Sequence, residues 1–345
     1  MMELGLYTFG DLPFSGASTE TARRRLADIV AAAKLADEAG LSVFGVGEHH
    51  RSDYAISSPA VVLGAIAMAT KTIRLTTAVT ILSSADPVRV FEDFATVDLL
   101  SGGRAELTVG RGAFVESFPL FGYDLHDYDA LYIEKLDLLL QLLRSERITW
   151  RGRFRPALLD AEIAPRPLSS RPPIWIGAGG TPASAVRAGE AGLPLNLANI
   201  GGEPARFKPF IDLYRRAGVE AGHDPANLKV GISGHLHVQK QSQAALDEFY
   251  PYYARYMGHN LPNRNRGPQI SRSDYDRLAG PRGALFVGSP QQIVDKILYE
   301  YELFGHQRFM AQIDIGGLPF AKVAEGIELL ANDVLPVVRR SISAL

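Results

Sequence analysis

The chain has 345 residues, 46% of them hydrophobic and 21% charged, with a formal net charge of −2 and no cysteine. These are the proportions of an ordinary globular protein. The small net charge excludes an overall field that would recruit nucleic acid or an anionic membrane. The missing cysteine excludes disulfides, thiolate metal sites and thiol nucleophiles.

The N-terminal MMELGLYTFGD lacks the basic start and long apolar centre of a signal peptide, and no run reaches the roughly 18 apolar residues of a membrane span. A cytoplasmic protein with no membrane partner is expected. In chain order, LGLYTF (4–9) predicts a strand. Leu26, Ile29, Val30, Ala33 and Ala36 then recur at helical spacing over 19–39, and Gly40 stops the run. LSVFGVG (41–47) is the second strand and 59–70 a small-residue helix. IRLTTAVTIL (73–82), rich in β-branched residues, is the third strand. Pro87 opens a helix at a first-turn position, where its missing N–H costs little. That helix runs to about residue 100, and SGGR turns the chain into AELTVG (105–110). A strongly periodic helix covers 127–143.

PIWIGAGG, LPLNLANI, KVGISGHLHVQ and RFMAQIDIG are four more strands, each followed by a helix, the last helix spanning 322–338. Eight strand–helix units argue for a closed (β/α)₈ TIM barrel and against an open doubly wound sheet. Two segments interrupt the rhythm of this single predicted domain. Residues 145–173, rich in Arg and Pro, read as a hairpin or irregular insertion. Residues 257–284 are polar and punctuated by Gly and Pro, a loop long enough to be a functional lid or a solvated surface segment. No repeat of 20–50 residues is present.

Barrel active sites lie at the C-terminal ends of the strands. There the sequence places Glu48-His49-His50, SSADP (83–87), Gly110-Arg111-Gly112 and GAGGTP (177–182). Adjacent strand residues point to opposite faces, so His49 and His50 are poor joint ligands for one metal. A histidine at the rim suits general acid–base chemistry, because it titrates near neutrality. In GAGGTP the glycines let backbone N–H groups approach an anion, and the following helix adds its free N–H groups and dipole. Thr181 can cap that helix or donate a hydroxyl. Arg111 offers paired donors to phosphate oxygens, or a rim salt bridge. There is no P-loop, and Pro182 breaks the Rossmann fingerprint. His235 and His237 share a strand face, so a divalent-metal hydrolase completed by Glu48 or Asp314 is a rival reading.

The ordered set GVGEHH, TTAVTILSSADPVRVFEDFATVDLLSGGRAELTVGRG, FGYD, WIGAGGTPASAVRAGEAGLP, LFVGSPQQIVDKI and IDIGGLPFAKV resembles the bacterial luciferase-like, flavin-dependent monooxygenases. The resemblance covers most of the chain outside the two insertions. It implies a luciferase-like barrel that holds reduced FMN at its C-terminal rim. The FMN would come from a separate reductase, react with O₂, and support insertion of one oxygen atom into a small organic substrate. It further implies that His49 is the base near the flavin, oriented by Glu48 or by backbone. The Ala78-Val79 peptide would be cis and lie against the ring. Arg111, Gly179, Gly180 and Thr181 would bind the phosphate, Ser184 adding a hydroxyl. Residues 257–284 would act as a lid, and the protein would be a homodimer through helices beside the early strands.

Gly110 stands where luciferase has a reactive cysteine, and GGT replaces its acidic Glu-Ser, which leaves more of the phosphate binding to backbone. Relatives with this barrel that use the deazaflavin F420 for hydride transfer, and others that bind flavin without catalysis, remain alternative readings. Phe14, Tyr54, Phe114 and the 257–284 lid are expected to shape a pocket for an apolar substrate.

Overall fold

A computed structural model describes residues 2–13, 17–169, 172–260 and 270–344. Its strands are β1 (Glu3–Thr8), β2 (Val43–Val46), β3 (Arg74–Thr77), β4 (Thr80–Ile81), β5 (Leu107–Gly110), β6 (Arg147–Trp150), β7 (Leu158–Glu162), β8 (Ile174–Ala178), β9 (Leu195–Ala198), β10 (Val230–Val238), β11 (Phe286–Gly288) and β12 (Arg308–Gln312). The large sheet runs β3-β2-β1-β12-β10-β9-β8-β5-β4, with β11 added to β10. Its paired strands are parallel. A parallel bridge between Leu75 and Ala105 ties β3 to the entry of β5 and closes the ring. The third barrel strand is thus split into β3 and β4, and the peptide between Ala78 and Val79 at the break is cis.

Helices cover the outside. Thr19–Glu38 begins with a capping box between Ser18 and Thr21 and buries Ile29, Ala32, Ala33 and Ala36. Pro87–Ser101 is capped by Asp86, whose carboxylate accepts from the Val88 and Arg89 N–H groups, and it stops at left-handed Gly102. The main apolar core lies between these helices and the outward faces of the strands. The final helical stretch is not continuous: Phe320–Leu329 and Leu335–Ser343 are joined by a π turn over Leu330–Val334.

The ring has a packed floor. Arg308 on β12 reaches across to Glu106, with Nη1···Oε2 of 2.7 Å, and stacks on Trp175 of β8 at 4.1 Å. Because β12 pairs with neither β5 nor β8, these contacts cross the barrel interior. Side chains alternate along a strand, so Met310 and Gln312 share that inward face with Arg308.

The 145–173 insertion contains the antiparallel hairpin β6–β7. The 257–284 segment differs from the expected structureless loop. The helix Ser242–Asn260 runs into its start, and Arg272–Ala279 is a helix capped by Ser271. Tyr275 of that helix is buried against Phe249 and Tyr253, which gives it a core of its own. Residues 261–269 lie outside the described residues, as does Phe14. Among the described residues, no helix is long and apolar enough to cross a membrane.

Candidate active site

Two groups of side chains face each other across the C-terminal rim. The first gathers where β5 and β8 end. Arg111, just past β5, donates from Nη2 to Ser184 Oγ at 3.0 Å. Ser184 is buried in the first turn of the helix Pro182–Glu190. Thr181 occupies the N-cap position, but its side chain makes no capping bond, so its hydroxyl stays available to a ligand. A helix start also leaves N–H groups without intrahelical partners. Gly180 has φ +104, and a Cβ there would stand 2.7 Å from the Phe207 ring, so only glycine suits this turn. The second partner of Arg111 is the exposed Asp129, and its guanidinium lies 5.3 Å from the centre of the Tyr128 ring. One fixed cation, one buried hydroxyl and a helix N-terminus form a donor set suited to a phosphate dianion.

Val79 lies next to this cradle, inside the barrel. A Cβ on Gly110 would come within 2.8 Å of Val79, and one on Gly177 within 2.5 Å. Glycine at both positions makes room for Val79 and keeps the inner wall flat. This also gives a physical reason for the absence of a thiol at position 110: the space is taken.

The second group surrounds His49. Its ring is buried, stacks on Tyr54 at 4.2 Å, and meets the edges of Phe9 and Phe114 at 4.7 and 4.8 Å. Its Nδ1 lies 3.1 Å from Glu116 Oε1. Burial works to raise the Glu116 pKa, but the His49 hydrogen bond and the nearby Arg51 charge outweigh it and hold the carboxyl below its usual value. Arg51 is clamped to Asp53 and donates to Asn260 Oδ1 at 3.1 Å, and Tyr54 donates to the same oxygen. The end of the helix Ser242–Asn260 is thereby tied to the histidine site.

The expected partnership of Glu48 with His49 is corrected here. Glu48 Oε1 lies 2.9 Å from His50 Nε2, and Oε2 accepts the Ile81 N–H at 3.0 Å. His50 points away, against the edge of Phe121. Glu48 therefore braces the loop behind the site by holding β4 and His50. Glu116, which the sequence reading missed, stands 67 positions after His49, and only its acidic character five residues beyond Arg111 hinted at a role.

The residues of the metal alternative do not come together. His237 faces Glu248 at 3.0 Å and stacks on Phe249, whereas His235 lies between Tyr253 and Tyr256. Among the described residues, no group of three His, Asp or Glu side chains could hold a metal. The SSADP turn is engaged in structure: Asp86 caps its helix and accepts from Arg155, and the Ser83 carbonyl accepts from buried Lys135 at 2.7 Å. Burial lowers the Lys135 pKa to about 8, against the pull of Asp86 and Glu134.

A parallel barrel with a donor set suited to an anion on one side of its mouth and a carboxylate-held histidine on the other has the arrangement of an enzyme-type site. The model of the luciferase-like monooxygenase family matches residues 2–307, and the chain belongs to that family. It is 22% identical over 342 residues to the oxygenase component of the flavin-dependent trigonelline monooxygenase of Acinetobacter baylyi, covering 93% of this chain and 92% of the relative. The crystal structure of the monooxygenase RslO1 from Streptomyces bottropensis superposes with a TM-score of 0.83 at 25% identity, covering 97% and 99% of the two chains. The oxygenating constituent of 3,6-diketocamphane monooxygenase from Pseudomonas putida, solved with FMN, shares the fold with a TM-score of 0.77 at 20% identity, covering 97% and 98%.

Proposed function

We propose that this protein is a monooxygenase that uses reduced FMN and O₂, consuming one substrate, one O₂ and one reduced flavin to give oxygenated product, water and oxidised flavin. The observation that carries the reading is the contact between Arg111 and Ser184 at the start of the helix Pro182–Glu190. A guanidinium and a buried hydroxyl from two different strand ends meet at a helix N-terminus, which is what a terminal phosphate requires.

Reduced flavin, when bound, supplies the two electrons that activate O₂. The chain's own residues do the rest. Arg111, Ser184, Thr181 and the N–H groups around Gly179 and Gly180 bind the phosphate and set the reach of the cofactor into the barrel. Ala78, Val79, Gly110 and Gly177 give its ring a flat wall. His49 moves the proton, held by Glu116 at Nδ1, which leaves Nε2 to face the reacting groups. Phe9, Tyr54 and Phe114 exclude water around that ring, so the activated oxygen is spent on substrate.

A separate reductase supplies the reduced FMN, as the naming of the trigonelline relative as an oxygenase component suggests. The chain works as one barrel domain in the cytoplasm, with residues 257–260 and 270–284 beside the mouth as a partial cover. It pairs with a second copy. Val61 and Met68 on Pro59–Ala69, and Leu99 and Leu100 at the end of Pro87–Ser101, are exposed apolar side chains, the kind of surface a partner copy covers.

The test is to load the protein with reduced FMN without oxygen, then mix with air and follow the return of oxidised-flavin absorbance. The bound cofactor should reoxidise with a lag that free reduced FMN lacks. Reoxidation at the rate of free FMN would contradict the proposal.

A further inference from the structure

Across the mouth from the phosphate cradle, β1, β12 and β10 present a row of buried polar side chains. Tyr7 pairs in register with Gln312, and Gln312 with His235. Residues in register on parallel strands share a face, and this one is the interior face that carries Met310, which packs with Tyr7 and Val43. Gln312 is fully buried, His235 is 2% exposed and Tyr7 4%. Tyr256 closes the row from the helix Ser242–Asn260, its ring 5.6 Å from that of His235.

Part of the hydrogen-bonding capacity of Gln312 and His235 is unused. Both amide atoms of Gln312 and Nδ1 of His235 lack a partner. Tyr256 is the group that reaches toward the Gln312 amide, near the Tyr54, Tyr7 and Asp11 side chains, and even with that approach the amide has donor and acceptor capacity to spare. Asp11 and Asp314 border the row, each with one unpartnered oxygen. Buried polar groups are almost always paired, so a cluster of unpaired ones on a barrel's inner face marks a ligand subsite. The row also adjoins the reacting groups. Tyr7 meets Phe9 edge-on at 5.6 Å, Phe9 meets His49, and Ala78 packs against the same cluster.

A carboxamide offers one donor and one acceptor side by side, so its complement is a group with acceptor and donor side by side. Charge is disfavoured here. Burial pushes His235 down to about 3, leaving it neutral, and burial raises both Asp11 and Asp314, the Asp314 charge adding to the rise at Asp11.

We propose that Gln312, with His235 and Tyr256, recognises the substrate through a neutral edge that pairs a donor with an acceptor, as in a cyclic amide. This rests on the flavin monooxygenase reading for its reaction, and it adds a polar edge to the apolar substrate expected from the sequence. It selects by pairing: a site built to hydrogen-bond a substrate group rejects an analogue lacking that group.

The test uses the FMN-loaded protein and three probes of similar size: quinolin-2-one, its N-methyl derivative and naphthalene, titrated by calorimetry. Quinolin-2-one should bind at least tenfold more tightly than either analogue. Gln312→Leu should abolish that preference while leaving FMN affinity within twofold. If Gln312→Leu does not fold, as judged by circular dichroism, His235→Phe carries the same comparison. Equal binding of all three probes, or no lactam binding at millimolar concentration, would overturn the proposal. So would a loss of FMN affinity in the variant, which would assign the row to the flavin's own pyrimidine edge. If FMN itself fails to bind while the unloaded protein still prefers the lactam, the flavin reading falls and this one stands.

Discussion

The proposed role of His49 rests on one hydrogen bond, to Glu116. The imidazole is enclosed by three aromatic rings, and among the described residues its side-chain hydrogen-bond partner is the Glu116 carboxylate at 3.1 Å. If His49 is the general base, His49→Ala should lower the single-turnover rate by roughly 10²–10⁴. Glu116 touches no reacting atom in this scheme and acts by positioning. Glu116→Gln should therefore slow turnover and leave FMN affinity unchanged. A fall in FMN affinity of the same size would mean that Glu116 supports the rim as a whole. The sequence singles out His49 as a candidate, because an E-H-H cluster after an apolar strand is a local signal. It could not assign the histidine's partner. Glu48 is adjacent in sequence, but a strand end sends it toward His50 and Ile81, and closure of the barrel brings Glu116 in from 67 residues away.

Among the elements, Asp37 is the clearest case of a helix end anchoring a strand. From the last turn of Thr19–Glu38 its carboxylate accepts from the Thr72 hydroxyl and from the N–H groups of Lys71, Thr72 and Ile73, at 2.6 to 2.9 Å. Burial alone would raise its pKa, but these four donors win and lower it to about 2. Because the folded value lies below the usual 3.8, this contribution to stability is present above about pH 4. It is lost as pH falls from there through about 2. Asp37→Asn should lower the melting temperature at pH 7, and the gap to wild type should close by pH 2. A gap that stays constant across that range would show that the charge plays no part.

Most elements were legible for the same reason that they form: alternating and 3.6-residue apolar patterns and their caps are local. The split of the third strand, the π turn at 330–334 and the helix Arg272–Ala279 were not. Each depends on tertiary partners, as Tyr275 shows by burying its ring against Phe249 and Tyr253. The β6–β7 hairpin fell between, expected as one of two possibilities because its Arg- and Pro-rich sequence has no sharp period.

For the whole molecule, the eightfold strand–helix alternation is enough to specify the barrel, and a barrel specifies the rim where chemistry is expected. It also leaves an apolar face on Pro59–Ala69 and Pro87–Ser101. Sedimentation velocity should show a dimer for the wild-type chain and a shift toward monomer in Met68→Glu. A monomeric wild type would remove the dimer from the account.

The most direct test of the central claim is an anaerobic titration with reduced FMN and, separately, reduced riboflavin, for the wild type and for Arg111→Ala. The phosphate should make FMN bind at least tenfold more tightly than riboflavin. Arg111→Ala should erase about 1.5–3 kcal/mol of that advantage, the scale of a charged hydrogen bond. Equal affinity of the wild-type protein for the two flavins would contradict the phosphate cradle, and with it the placement of the cofactor in this barrel.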